Sequence, residues 1–302
     1  MRRSILVLAA LALVWTVRTP VHADELRQLY ISLLDAEDKP VTDLEIGEIT
    51  VIVDDVECKV VKLEPVSKQM KLTLMVDNGP VTTKELATFR SALRAFFDAL
   101  PPEIETAFYT INPQPRAVVK ATTDRQKLLQ GIDLIAPDSG GGLFFDALVE
   151  ASDRFEKDKT DHFPMLMMVA SDFGRNSSAL DRDYMKLQKR IVDKGATVHF
   201  AILHAGGDRV NAVAGVLQTQ VGLAVTQLSG GRYENIAAAT RLVTLLPEFA
   251  KAIALTNLRQ THAYRVTYER KDSKNPPQKI SAALSRLRSG LQPQLSIDGH
   301  MP

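Results

Sequence analysis

Leu72-Thr73-Leu74-Met75-Val76-Asp77-Asn78-Gly79-Pro80-Val81-Thr82 is the stretch on which the fold turns. Its first five residues show no alternation of apolar and polar side chains, as in a strand covered on both faces. Met75 to Thr82 then reads as the loop leaving the strand. A helix is expected from about Thr83, because Leu86, Phe89, Leu93, Phe96 or Phe97, and Leu100 recur at helical spacing. Thr82 and Glu85 have capping-box spacing at its start, and Pro101-Pro102 ends it. A doubly covered strand followed at once by an amphipathic helix is the unit of a parallel sheet wrapped by helices.

The same alternation continues outward. Strands are expected at 106–111, 117–120, 165–169, 197–203 and 231–235. Helices are expected at 125–134, 144–155, 181–193, 210–227 and 237–258, the last broken at Pro247. Residues 67–258 therefore read as an α/β domain with a doubly wound, mostly parallel, Rossmann-like sheet. The flanking segments, 24–66 and 259–302, read as β-strands with turns at Asp35–Asp38, Asp54-Asp55, 272–277 and 288–290. Neither flank is large enough to hold a core alone, so the two are expected to pair into one small β module rather than hang as separate appendages.

Residues 1–23 have the form of a secretory signal peptide. Arg2 and Arg3 precede an apolar run from Ile5 to Trp15, and Val21-His22-Ala23 is a small-x-small cleavage site. The apolar run is shorter than the roughly 18 residues a membrane span needs. An exported protein, periplasmic or secreted, is the expectation. Cleavage would remove three arginines and no acid, leaving 34 basic and 36 acidic residues. That balance gives no basic surplus for nucleic acid. Over the 302 residues, 45% are apolar and 24% charged, which excludes disorder and fibrous folds. Cys58 is the only cysteine, so no internal disulfide can form. It reads as a half-buried strand residue, with an intermolecular bridge as the alternative.

Ligands of such sheets bind at the carboxyl ends of the strands. Three loops lie there: 75–82, 138–148 and 169–178. At these loops the chain resembles the bacterial secreted proteins that carry a von Willebrand factor type A (VWA) domain, the VWFA-related group. The resemblance extends over nearly all of the chain after residue 23. Asp35-x-x-Asp38-Lys39-Pro40-Val41-Thr42-Asp43-Leu44 with Ile49-Thr50-Val51-Ile52-Val53-Asp54-Asp55 resembles that group's lead-in, Ser229-Gly230-Gly231-Arg232-Tyr233 its last core strand, and Tyr264-Arg265-Val266-Thr267-Tyr268 its C-terminal strand.

The resemblance implies a divalent-cation site made by Asp-x-Ser-x-Ser in the first loop, a threonine in the second and an aspartate in the third. Mg²⁺ takes six hard oxygen ligands, and neutral hydroxyls leave it electrophilic enough to accept a partner's carboxylate. This chain departs from that pattern. Asp77 and Asp172 match the two aspartates, but Gly79 and Val81 stand for the serines and Gly142 for the threonine. Asn78 offers a carbonyl one position before the ligand place. The expectation is a degenerate site without physiological Mg²⁺, Asp77 and Asp172 forming a weak or vestigial pair. Two such carboxylates repel unless solvent, protonation or a base separates them, and Arg175 is the candidate base.

No other group of residues converges. Gly140-Gly141-Gly142 has neither a Walker lysine nor a G-x-G-x-x-G pattern, and reads as a tight loop before an anion cradle. His162, His199, His204, His262 and His300 lack metal-ligand spacing. Met165, Met167 and Met168 fall in a buried-strand pattern. There is no G-x-S-x-G elbow. The reading is a non-enzymatic interaction or assembly module with no cofactor and an unknown protein partner, contacted through Asp77, Asn78, Gly79, Gly142, Asp172 and Arg175. A cation-dependent adhesion module using Asp77 and Asp172 is the alternative, and a hydrolase using the same carboxylates the third reading.

Overall fold

The computed structural model describes residues 25–139, 143–173, 181–204, 209–270, 279–285, 290–291 and 293–297. The expected signal peptide 1–23, Gly140 to Gly142, Arg175, the turn expected at 272–277 and His300 lie outside these residues.

Two six-stranded sheets make up the described fold. The central one contains β4 (Met70–Val76), β5 (Glu105–Thr110), β6 (Arg116–Thr122), β7 (Phe163–Ser171), β8 (Thr197–Leu203) and β9 (Tyr233–Ile236), in the order β6-β5-β4-β7-β8-β9. All neighbours are parallel except β5 and β6, which form an antiparallel hairpin. β4 is central: Leu74 lies opposite Phe108 on one side and Met167 on the other. Its side chains divide between two cores. Leu72, Leu74 and Val76 face α2 (Leu86–Ala99), α3 (Arg125–Asp133) and α7 (Leu242–Thr261). Met75 faces α4 (Phe144–Lys157), α5 (Asp181–Lys194) and α6 (Arg209–Ser229). β7 divides likewise, with Met165 and Met167 in the first core and Met168 in the second. The methionines are therefore core, and the unbroken apolar runs reflect burial on both faces.

Two local expectations are corrected. The helix after β4 does not begin with a Thr82–Glu85 capping box. A short α1 (Pro80–Lys84) comes first, with Gly79 as its N-cap and Pro80 in its first turn, where a missing N–H costs nothing. Thr82 is buried inside α1, and Glu85 begins α2 without a side-chain cap bond. Pro247 does not break the last helix, because α7 runs through it. Leu245, Leu246, Phe249, Ala250 and Ile253 are buried in the first core around that proline. Their packing outweighs the roughly 3 kcal/mol that an interior proline costs.

The strand expected from Gly231 begins at Tyr233. Gly231 itself presses on β8: a Cβ there would lie 1.8 Å from the Val198 carbonyl oxygen. Only glycine allows that approach.

The second sheet is built from both ends of the chain. It contains β1 (Glu25–Ser32), β2 (Ile49–Val53), β3 (Val56–Val66), β10 (Ala263–Arg270), β11 (Ile280–Leu284) and β12 (Gln294–Ile297). The order β11-β2-β3-β10-β1-β12 interleaves N- and C-terminal strands, so the flanks form one module. Asp54 and Asp55 have φ of 50° and 64°, the pair of left-handed residues that a two-residue hairpin turn requires between Val53 and Val56. Leu29, Ile31, Val51, Val266 and Tyr268 build its core, in which Cys58 is buried.

Candidate functional site

The site lies at the carboxyl ends of β5, β4, β7 and β8. Asp77 is the first residue after β4, and its backbone N–H donates to the Val169 carbonyl at 2.9 Å. Its side chain is held on both oxygens. Oδ1 accepts from the Gly79 N–H at 2.8 Å and from the Asn112 side-chain amide at 2.6 Å. Oδ2 accepts from the Ser171 hydroxyl at 2.7 Å and the Ser171 N–H at 3.2 Å. Asp77 is 3% exposed, and four donors of the chain occupy the carboxylate.

Asn78 is equally committed. Its side-chain carbonyl accepts from the Asn112 N–H at 3.0 Å and its amide donates to the Ala136 carbonyl at 2.8 Å. The Asn78 backbone carbonyl accepts from the Asp138 N–H at 2.8 Å. These bonds tie the loop after β4 to the loops after β5 and α3. Gly79 is buried beneath them. Val81 packs on the first core, which places no oxygen at that position.

Asp172 follows β7, and its N–H donates to the Leu203 carbonyl at 3.0 Å. Its carboxylate is in close contact with Nδ1 of His204, the residue after β8. The His204 side chain is 60% exposed. In the sequence His204 stands out only by its lack of metal-ligand spacing. Ser171, Asn112 and His204 were the residues the sequence reading missed. Adjacency in the sheet was the available signal, since Ser171 pairs with Leu203 in the β7–β8 register.

A hard divalent cation does not fit the donor set that the described residues present. Such an ion needs about six oxygens. Gly79 and Val81 have none to offer from their side chains. Binding through Asp77 would displace bonds that the fold already uses. Among the described residues no group of three or more His, Cys, Asp or Glu side chains could hold a metal. Side-chain and backbone donors surround Asp77, and His204 stands beside Asp172; Arg175, the expected base, lies outside the described residues.

His199 serves the architecture. It is buried in β8, its ring edge-on to Phe249 at 5.6 Å, and its Nδ1 accepts from the Arg232 N–H at 3.0 Å. Burial, aided by the Arg232 charge, lowers its pKa from 6.5 to about 4.

A parallel sheet in this order, with one antiparallel edge hairpin and helices on both faces, has counterparts among solved structures. The von Willebrand factor type A protein from Catenulispora acidiphila superposes with a TM-score of 0.50 at 8% identity, covering 91% of this chain and 72% of that one. The fold is von Willebrand factor type A-like. The SpRpn10 VWA domain gives a TM-score of 0.43 at 14% identity, over 59% of this chain and 95% of that one. The pilus adhesin SpaC from Lactobacillus rhamnosus GG gives 0.49 at 11% identity, over 89% of this chain and 49% of the adhesin. No protein-family model and no curated protein sequence matches the chain. At these identities the likeness is one of fold. The VWA-like sheet brings Asp77 and Asp172 to the same end of neighbouring strands, with Asp77 held by hydrogen bonds from within the chain.

Proposed function

We propose that this chain is a non-enzymatic, exported protein-interaction module whose VWA-like domain works without a divalent cation. The observation that carries the reading is the Asp77 carboxylate, buried and filled by four donors of the chain itself. The same saturation argues against a hydrolase, because a general acid or base must reach its substrate's proton. The loop surface around Asp172 and His204 is left as the contact face, with a second protein as partner.

Export rests on the form of residues 1–23. No helix among the described residues is long and apolar enough to cross a membrane. Mass spectrometry of the protein recovered from a bacterial envelope fraction is expected to find Asp24 as the first residue. An intact Met1 terminus would refute processing.

The cation-free reading is tested by thermal melts with Mg²⁺, Mn²⁺ and Ca²⁺ against EDTA. An ion bound at about 100 times its Kd adds about 2.7 kcal/mol, several degrees in a chain of this size. The expected response is flat at millimolar ion. A saturable rise would overturn the cation-free reading.

A further inference from the structure

Beside Asp77 a pocket of about 290 Å³ opens where β5 turns into the edge strand β6. It lies at the lower end of ligand cavities, roughly 300–1,000 Å³, and so suits a side chain better than a cofactor. Asn78 and Asn112 line it next to the Asp77 network, with Pro113, Leu134, Arg116 and Asp138 completing the wall. Arg116 opens β6 opposite Thr110 and is exposed. Among the described residues its guanidinium has no hydrogen bond or ion pair. Leu134, 66% exposed, gives the mouth an apolar lip. Asp138 is the acidic member of the rim and already interacts within the chain.

A planar guanidinium with free donors binds a carboxylate through two parallel hydrogen bonds. We propose that this pocket takes an acidic side chain of a partner polypeptide, with Arg116 binding the carboxylate directly and Leu134 covering the neighbouring apolar residue. The proposal rests on the cation-free reading above and gives its partner a chemistry. Arg116 supplies a positive charge at this end of the sheet. The carboxylate sits on the Arg116 side of the pocket, away from Asp138.

The test is an NMR titration of the ¹⁵N-labelled chain in EDTA with a capped pentapeptide, Gly-Leu-Asp-Leu-Gly. The same peptide with asparagine for aspartate and free acetate are the comparators. Saturable amide shifts are expected at residues 112–118 and 134–138. Arg116→Ala is expected to weaken binding about tenfold, and Arg116→Lys to recover part of the loss. Asp138→Asn should tighten binding about twofold to fivefold, and Lys120→Ala should leave it unchanged. Arg116 is exposed, so a melt of each variant separates lost binding from lost folding. The proposal is overturned by an absence of saturable shifts, by an unchanged affinity in Arg116→Ala, or by equal binding of the asparagine peptide. Equal binding of acetate overturns the polypeptide source. An equal loss in Lys120→Ala overturns it too, by reducing the effect to general attraction along β6. Failure with a flat ion titration removes the pocket alone, whereas an ion-dependent melt removes the cation-free reading beneath it.

Discussion

Asp77→Ala is expected to destabilise the protein by about 3–5 kcal/mol, with or without Mg²⁺. The substitution leaves the Gly79 N–H, the Asn112 amide and both Ser171 donors facing a small buried void. Each buried donor without an acceptor costs about 1–3 kcal/mol. Water entering the void recovers part of that, so the total falls short of four full penalties. A loss of this size lowers Tm by roughly 10 °C in a chain of this length. Asp77→Asn is the sharper companion. It keeps the volume but turns one acceptor oxygen into a donor, which must face either Asn112 or Ser171. Its loss is expected to be smaller than that of alanine and equally indifferent to ions. A site built to hold a cation behaves in the opposite way: removing a carboxylate from the empty site relieves repulsion and leaves the apo protein as stable or more so. Urea unfolding of wild type and both variants, with EDTA and with millimolar Mg²⁺, separates the cases. A wild-type midpoint for Asp77→Ala would show that the four bonds contribute little and that the carboxylate is held for another purpose.

The difference between these outcomes turns on what the sequence could express. The strand Met70–Val76 and the helix stripe on Leu86–Ala99 were legible because burial leaves a local pattern. The hairpin at Asp54-Asp55 was legible for the same reason, since the turn chemistry lies in two adjacent residues. Asp77 and Asp172 were legible as strand-end carboxylates. Their partners were not. Asn112 lies 35 positions from Asp77 and Ser171 lies 94 away, so their meeting depends on β5 and β7 flanking β4. His204 reaches Asp172 only because β8 follows β7 in the sheet. Sequence spacing carries none of this strand order. Local rules also misplaced two prolines. Pro80 looked like part of a loop and is the first residue of α1. Pro247 looked like a breaker and lies inside α7, where contacts far away in the chain override its local cost.

Acid is expected to weaken the fold through His199. The Arg232 N–H donates to Nδ1 of this ring, so Nδ1 must keep its lone pair and the imidazole must be neutral. Phe249 packs against the ring, and the charged groups nearby are the Arg232 guanidinium and its partners Glu234 and Glu248. Burial foremost, then the Arg232 charge, lowers the pKa from 6.5 to about 4. The sign follows directly. Between those two values the unfolded chain binds a proton that the folded chain refuses, so stability falls as pH falls. The contribution is fully present above about pH 6.5 and is lost progressively down to about pH 4. A shift of this size corresponds to about 3 kcal/mol, comparable to the loss of a buried side chain. Asp158 acts in a lower window. For Asp158, burial works to raise the pKa, but hydrogen bonds from Thr160 and Lys71 hold it well below the usual range, so its contribution persists through pH 4. His199→Gln keeps an acceptor within reach of the Arg232 N–H and removes the titration. Urea midpoints at intervals from pH 7 to pH 4 are expected to fall more steeply for wild type than for His199→Gln, the curves separating below pH 6.5. Parallel curves would mean that the folded protein accepts the proton on His199.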